Sequence, residues 1–344
     1  MREKPTSEQL LRLGEEAGVR FNLTEEFWAN NNAKVFKVKL NVPVEAYIID
    51  TDEGLEVAVK PEVIGSRFIE LNEGAASKAA KFLKEIVDQD ETIIFAHVLR
   101  ASLGYRLHTA LKKLGGWELR EIYLRVKYEE GSFRDHVTRR AVVKFRDYSG
   151  MPEDCSATLI VADTVATGRT LITALDDVLR EARARGVKVD RLVIYGFLSK
   201  YGIVKVSEWA SSAGVKVTAI ALQDLTPLAY NMYDMPLYGV DESVWDATGE
   251  IRTIAAIVDP STFTRMALEY APGLDQPGDW SERQEVLFNG MGYEKGDVKG
   301  HLHRSLELIA KLRELSRRAP WYEPWLDEVF RERANAIARE LSCL

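Results

Sequence analysis

Cysteine is scarce in this chain: Cys155 and Cys343 are the two present among 344 residues. Two are too few for a disulfide framework and they lack metal-ligand spacing, so ordinary thiols are expected. Long apolar runs are missing as well. Nothing approaches the ~18 consecutive apolar residues of a membrane-spanning helix. Met1 to Glu16 is charged throughout and lacks the layout of a signal peptide, so a soluble cytoplasmic protein is expected. Positive charge is also in deficit, with 46 Lys and Arg against 53 Asp and Glu and a net charge of −7. This argues against a protein whose main business is coating nucleic acid, which needs a broad basic surface. Internal repeats and low-complexity tracts are absent, which excludes solenoids and leaves a chain with room for about two domains.

Residues 7–17 read as a short helix capped by Ser7, with Leu10, Leu11 and Leu13 on one side, and Val44 to Ile49 as a strand. From Ala75 the pattern becomes regular. Helix 75–88, strand Thr92 to Val98, helix Leu103 to Leu114 and strand Glu121 to Val126 are followed by a charged stretch. Strand Thr158 to Ala162, helix Thr170 to Arg185, strand Arg191 to Phe197, helix Val204 to Ala213 and strand Lys216 to Leu222 come next. Buried strands alternating with helices specify βαβ units and an α/β fold, a Rossmann-like parallel sheet with helices on both faces. In such sheets ligands bind beyond the carboxyl ends of the strands, so those loops are the ones to inspect. Beyond Trp245 the alternation stops. Helical segments near 300–317 (Leu302, Leu306, Ile309, Leu315) and 325–341 (Val329, Ile337, Leu341) mark an α-helical C-terminal extension. The expected division is an N-terminal segment 1–64 packing on the core, a domain over 65–245, and the extension over 246–344.

Two strand-end loops carry chemistry. In Leu159-Ile-Val-Ala-Asp-Thr-Val-Ala-Thr-Gly-Arg-Thr170 a buried strand delivers Asp163 at its carboxyl end, and a loop with Thr167, Gly168 and Thr170 opens a helix. Amide groups at a helix N-terminus, with hydroxyls and small side chains, make an anion cradle suited to phosphate. Asp163 stands where a carboxylate accepts hydrogen bonds from sugar hydroxyls. The same residues also fit a plain helix start, with Thr170 as N-cap and Gly168 in a tight turn. The second loop is Val98-Leu-Arg-Ala-Ser-Leu-Gly104.

Val161 to Thr170 resembles the phosphoribosyl diphosphate (PRPP) loop of type I phosphoribosyltransferases. Val98 to Gly104 is similar to the pyrophosphate loop of the uracil enzymes in that family. Met151-Pro152, Thr218-Ala219 with Gln223 and Leu225, and Tyr233-x-x-Pro236-x-x-Gly239 fall in the order that subfamily uses, over roughly residues 65–245. The resemblance implies a phosphoribosyltransferase fold with a hood. Its activity would be transfer of phosphoribosyl from PRPP to uracil, giving UMP and pyrophosphate in nucleotide salvage. It implies Asp163 and Arg100 as catalytic residues, and Asp163, Thr164, Val165, Ala166, Thr167, Gly168, Arg169 and Thr170 around the 5′-phosphate and ribose. Arg100, Ala101, Ser102, Arg125 and Lys127 would meet pyrophosphate, and Asp234, Gly239, Val240 and Asp241 the base. Mg²⁺ would be held mainly through PRPP and water rather than in a protein cage. A homodimer or higher homo-oligomer is the family's habit.

The chain departs from the pattern at Ala162, the first acidic position of the PRPP loop, at Leu222 before Gln223, and at Leu237 and Val240 in the base-binding hood. These departures motivate two other readings: transfer to another base (orotate, a purine or a modified heterocycle), and a non-catalytic regulator that senses PRPP or a nucleotide. The stretch from Arg125 to Arg146 holds seven basic and three acidic residues, either a solvated face or a positive hood over the substrate. His97 and His108 read as structural. His301 and His303, two apart on a helix, face different ways and make no metal pair. Trp280, Trp321 and Trp325 read as core or subunit packing, with a cap over the active site as the sharper alternative.

Overall fold

The computed structural model describes residues 5–30, 32–88, 90–128 and 141–344. The chain opens with α1 (Ser7–Glu16), then β1 (Thr24–Asn30), β2 (Ala33–Val38), β3 (Val44–Thr51), α2 (Asp52–Val59), α3 (Gly65–Ile86) and β4 (Thr92–Leu99). A 3₁₀ turn over Ser102–Tyr105 and α4 (Leu107–Leu114) precede β5 (Leu119–Tyr128), β6 (Ala141–Asp147) and β7 (Ser156–Ala162). Then come α5 (Arg169–Ala184), β8 (Lys188–Ser199), α6 (Lys200–Ala213) and β9 (Lys216–Thr226). The remainder holds β10 (Tyr238–Val240), α7 (Glu242–Thr248), β11 (Thr253–Ala255), α8 (Pro260–Ala267), β12 (Val286–Phe288), β13 (Tyr293–Lys295), α9 (Val298–Ser316) and α10 (Leu326–Cys343). No helix among the described residues is long and apolar enough to cross a membrane.

Nine strands form one sheet in the order β1-β2-β3-β9-β8-β7-β4-β5-β6. The six from β3 to β5 run parallel: five are the strands of the predicted alternation, and β3, expected only as a strand in the N-terminal segment, joins them beside β9. The edges differ from that expectation: β1 and β2 on one side and β6 on the other are antiparallel. The reason is connection length and exposure. Parallel neighbours need a crossover of a dozen residues, whereas β1 and β2 join directly, and β1 shows water most of its side chains. Alternation along each central strand splits its side chains between two faces. Leu159 and Val161 of β7 pack under α5 and α6 with Leu171, Val178 and Val206. Phe95 of β4 and Ile160 pack on the other face with Phe68 and Leu83 of α3, Leu302 and Ile309 of α9, and Phe330 and Ile337 of α10. The last hundred residues thus share a core with α3.

Local details sharpen the sequence reading. The cap of α1 is Thr6, in a reciprocal box with Gln9, rather than Ser7. Helix α3 begins ten residues before Ala75, and the predicted helix from Leu103 is a 3₁₀ turn followed by α4. Helix α5 starts at Arg169 with Gly168 at its cap, so Thr170 lies inside the first turn.

The strand order also locates the crevice. From β4 the chain moves outward to β5, and from β7 it moves the opposite way through β8 to β9. The order therefore reverses between β4 and β7, the topological switch point where open α/β sheets leave room for a ligand.

Candidate active site

The two loops singled out in the sequence leave the carboxyl ends of these adjacent strands. Val98 to Ala101, Asp163 to Gly168, Thr170 and Leu171 line one cavity of about 390 Å³. The loop after β7 is fixed by backbone bonds to its neighbour: Asp163 N donates to Tyr195 O at 3.0 Å and Val165 N to Phe197 O at 2.9 Å. Ser199 Oγ donates to Ala166 O at 2.5 Å. Gly168 has φ of +78°, and a Cβ there would stand 3.1 Å from Gly202 O. A side chain is thus disfavoured by both backbone conformation and the closeness of α6. Ile172 N is the first α5 amide with an intrahelical acceptor, Gly168 O at 2.8 Å. The amides ahead of it belong to a helix N-terminus that opens on the cavity.

Asp163 is 6% exposed, and its Oδ1 accepts from Thr164 N at 2.9 Å. Burial pushes its carboxyl up to about 7, because one amide offsets little of the lost hydration. Thr164 in turn shares a 2.5 Å hydrogen bond with the buried Tyr105 hydroxyl. Arg169 points away and lines a neighbouring depression with Arg146 and Arg180.

On the other loop, Arg100 and Ala101 line the cavity and Ser102 does not. Ser102 is buried behind it, its Oγ 3.1 Å from His97 Nδ1, while His97 Nε2 lies 3.0 Å from Glu121 Oε2. Lys112 also pairs with Glu121. Hydrogen bonding to His97 holds the Glu121 carboxyl down at about 2. This chain ties β5 and α4 to the turn that presents Arg100. Desolvation lowers His97, and it lowers His108, 4.8 Å away ring to ring, to about 3. A histidine held neutral by the fold destabilises it once the unfolded chain begins to take up protons, below pH 6.5. The stability of His108→Gln relative to the unmodified protein should therefore rise as pH falls from 6.5, by about 2 kcal/mol at pH 5. Urea titrations across that range measure it, and a pH-independent difference would contradict the assignment.

Other expected site residues stand elsewhere. Lys127 is exposed and outside the cavity, and Arg125 faces the β12–β13 hairpin. Asp234, Gly239, Val240 and Asp241 do not line it. Asp234 accepts from Asn231 Nδ2 at 2.8 Å. Gly239 and Val240 are buried in β10 against β11. Asp241 caps α7, pairs with Arg252 at 2.5 Å and accepts from Tyr230 N at 3.0 Å. The basic residues Arg134, Arg139 and Arg140 of the charged stretch lie outside the described residues.

In their place the cavity wall holds Tyr128, Met232, Tyr233, Asp275 and Pro277 to Glu282. Trp280 is the anchor: its ring stacks on Tyr105 at 4.0 Å, touches Phe68 edge-on, and its Nε1 donates to Ala101 O at 3.1 Å. Arg283 is fully buried and donates to Val57 O, Lys60 O, Val63 O and Pro277 O. Burial lowers its guanidinium to about 10. Glu282, between these two anchors, pairs with Arg100 at 2.9 Å. Asp275 accepts from Met235 N at 2.7 Å, and burial raises its carboxyl well above the usual range. The tryptophan is at once core packing and cavity wall.

Neither a scan of family models nor a search of curated proteins finds a match. Solved structures similar to this chain include a hypoxanthine phosphoribosyltransferase from Staphylococcus aureus, with 14% identity and a TM-score of 0.31 over 48% of this chain and 80% of that one. Another is the adenine phosphoribosyltransferase from Trypanosoma brucei in complex with AMP, pyrophosphate and ribose-5-phosphate, with 13% identity and a TM-score of 0.32 over 52% and 84%. A third is the purine phosphoribosyltransferase from Pyrococcus horikoshii, with 17% identity and a TM-score of 0.27 over 44% and 83%.

Proposed function

We propose that this protein transfers the phosphoribosyl group of PRPP to a ring nitrogen of a nucleobase, with residues 65–245 supplying the transfer machinery and the C-terminal residues one wall of the site. One observation carries the reading: the two loops that resemble the PRPP and pyrophosphate loops line a single cavity at the sheet's switch point. In this reading the 5′-phosphate sits on the amides and hydroxyls of Ala166 to Thr170 at the α5 N-terminus. Asp163 accepts from the ribose hydroxyls, and its negative charge favours the oxocarbenium-like centre that forms at C1′. Arg100 and the Ala101 backbone meet the departing pyrophosphate. Trp280 and Tyr233 shield the reacting centre from water.

Among the described residues no group of three or more metal-ligating side chains is gathered, and Ala162 removes one carboxylate from the loop. That donor set fits Mg²⁺ held chiefly by PRPP and water, with Asp163 as the oxygen the chain offers. When bound, Mg²⁺ would neutralise charge on the leaving group.

The order of motifs points to uracil as acceptor. Because Asp234 and Gly239 to Asp241 stand outside the cavity, the test must cover orotate, purines and modified heterocycles too. Incubation with PRPP, Mg²⁺ and each base in turn, followed by pyrophosphate release, is expected to show turnover with one class of base. Release with uracil alone selects the first reading. PRPP binding without turnover on any base would select the sensor, which Ala162 and the carboxylates already on Arg100 favour.

A further inference from the structure

Both arginines expected near the pyrophosphate already carry carboxylates of the C-terminal segment. Arg100 Nη2 lies 2.9 Å from Glu282 Oε1, and its Nη1 lies 3.2 Å from Glu294 Oε1. The same Glu294 oxygen is 3.4 Å from Arg125 Nη2, and Arg125 Nη1 donates to Asn289 O at 3.3 Å. A guanidinium offers its fork of N–H groups to carboxylate and phosphate oxygens alike. A pyrophosphate group on Arg100 would need the donors that the two glutamates now hold.

The two glutamates are moored differently. Glu282 lies between buried Trp280 and Arg283, and its Oε2 accepts from Asp297 N at 2.6 Å. Glu294 belongs to β13, which pairs with β12 over three residues and, among the described residues, joins no larger sheet. A two-stranded ribbon of that length has little stability of its own. Met291 and Tyr293 in it are 89% and 78% exposed. Among the described residues its contacts with the sheet include Glu294, Asn289, Phe288 against Tyr123 at 6.1 Å, and Gly290 beside the Phe145 ring, and Leu287 of β12 is buried.

Resting on the reading of the cavity as a PRPP site, we propose that Glu294 is an autoinhibitory latch. In the free protein it occupies Arg100 in place of the substrate's diphosphate, tethered from behind by Arg125, and the β12–β13 hairpin lifts when the diphosphate takes the Arg100 donors. Docked hairpin and bound diphosphate exclude one another. The latch therefore lowers apparent affinity by the fraction of molecules in which it is closed.

The test compares the unmodified protein with Glu294→Gln, which keeps the shape and removes the charge. Calorimetry with PRPP and Mg²⁺ reads affinity, and hydrogen exchange reads the amides of 286–295. The expected result is about tenfold tighter PRPP binding by the variant, and faster hairpin exchange in the unmodified protein once PRPP is added. PRPP binding by the variant alone would also support the latch, as one that closes the site almost fully. Binding by both proteins with equal or weaker affinity in the variant would overturn the latch and leave the PRPP reading standing. No PRPP binding by either protein would overturn the PRPP reading, and the latch with it.

Discussion

Arg100→Gln is expected to lower kcat/KM for PRPP by about a hundredfold or more while the protein stays folded. The glutamine keeps hydrogen-bonding ability but loses the positive charge that, in the proposed transfer, opposes the charge building on pyrophosphate as the C1′–oxygen bond breaks. Loss of a single preorganised group of this kind costs about 10²–10³ in rate. Stability should change far less. Glu282 and Glu294, released from Arg100, are 22% and 33% exposed, and water screens such carboxylates, so about 1 kcal/mol or less is at stake. Steady-state kinetics beside a thermal melt separates the two effects. Arg100→Lys should restore part of the rate, since the charge returns without the planar fork. Unchanged kinetics in Arg100→Gln would remove Arg100 from the site.

Asp163→Asn is expected to split activity from stability in the opposite direction. Turnover should fall about a hundredfold, because the amide cannot offset positive charge at C1′ and offers a poorer acceptor to the ribose hydroxyls. The free protein should become more stable. Asp163 titrates near pH 7 in the fold against about 3.9 in an unfolded chain. Between those values the unfolded chain loses its proton first, so ionisation of Asp163 costs stability progressively as pH rises from 4 to 7, and the full cost persists above 7. Asparagine carries no such cost. The stability difference between variant and unmodified protein should therefore be near its minimum at pH 4 and grow to about 4 kcal/mol at pH 8. Denaturant titrations at the two pH values measure it. A constant difference would mean that Asp163 is hydrated rather than buried. Because His108 acts in the reverse sense below pH 6.5, the variant-minus-parent difference isolates each group where a bare pH profile does not.

Much of the central architecture is legible in the residues themselves. Ile93 to Leu99 and Ala157 to Ala162 are buried on both faces, so they read as continuous apolar runs between helices, and that pattern specifies parallel strands. The two strand-end loops are legible for a related reason: strand, Asp163, Gly168 and helix start follow one another within a dozen residues. The edge strands were harder. β1 is mostly exposed and β6 half-exposed, so neither has an apolar run to betray it. Gly239 and Val240 lie in β10 and Asp241 caps α7, placements that motif order does not disclose.

By itself the sequence determined the alternation of the sheet, the position of the two strand-end loops, and the acidic balance of the chain. Tertiary structure alone decided what stands opposite those loops. Arg100 meets Glu282 across 182 positions of chain, and Trp280 reaches back to Tyr105. Local periodicity records which side of an element is buried but not which distant element covers it. That choice is made by packing, where the buried anchors Trp280 and Arg283 fix the wall and so place a carboxylate on the arginine that the loop alone would have left open.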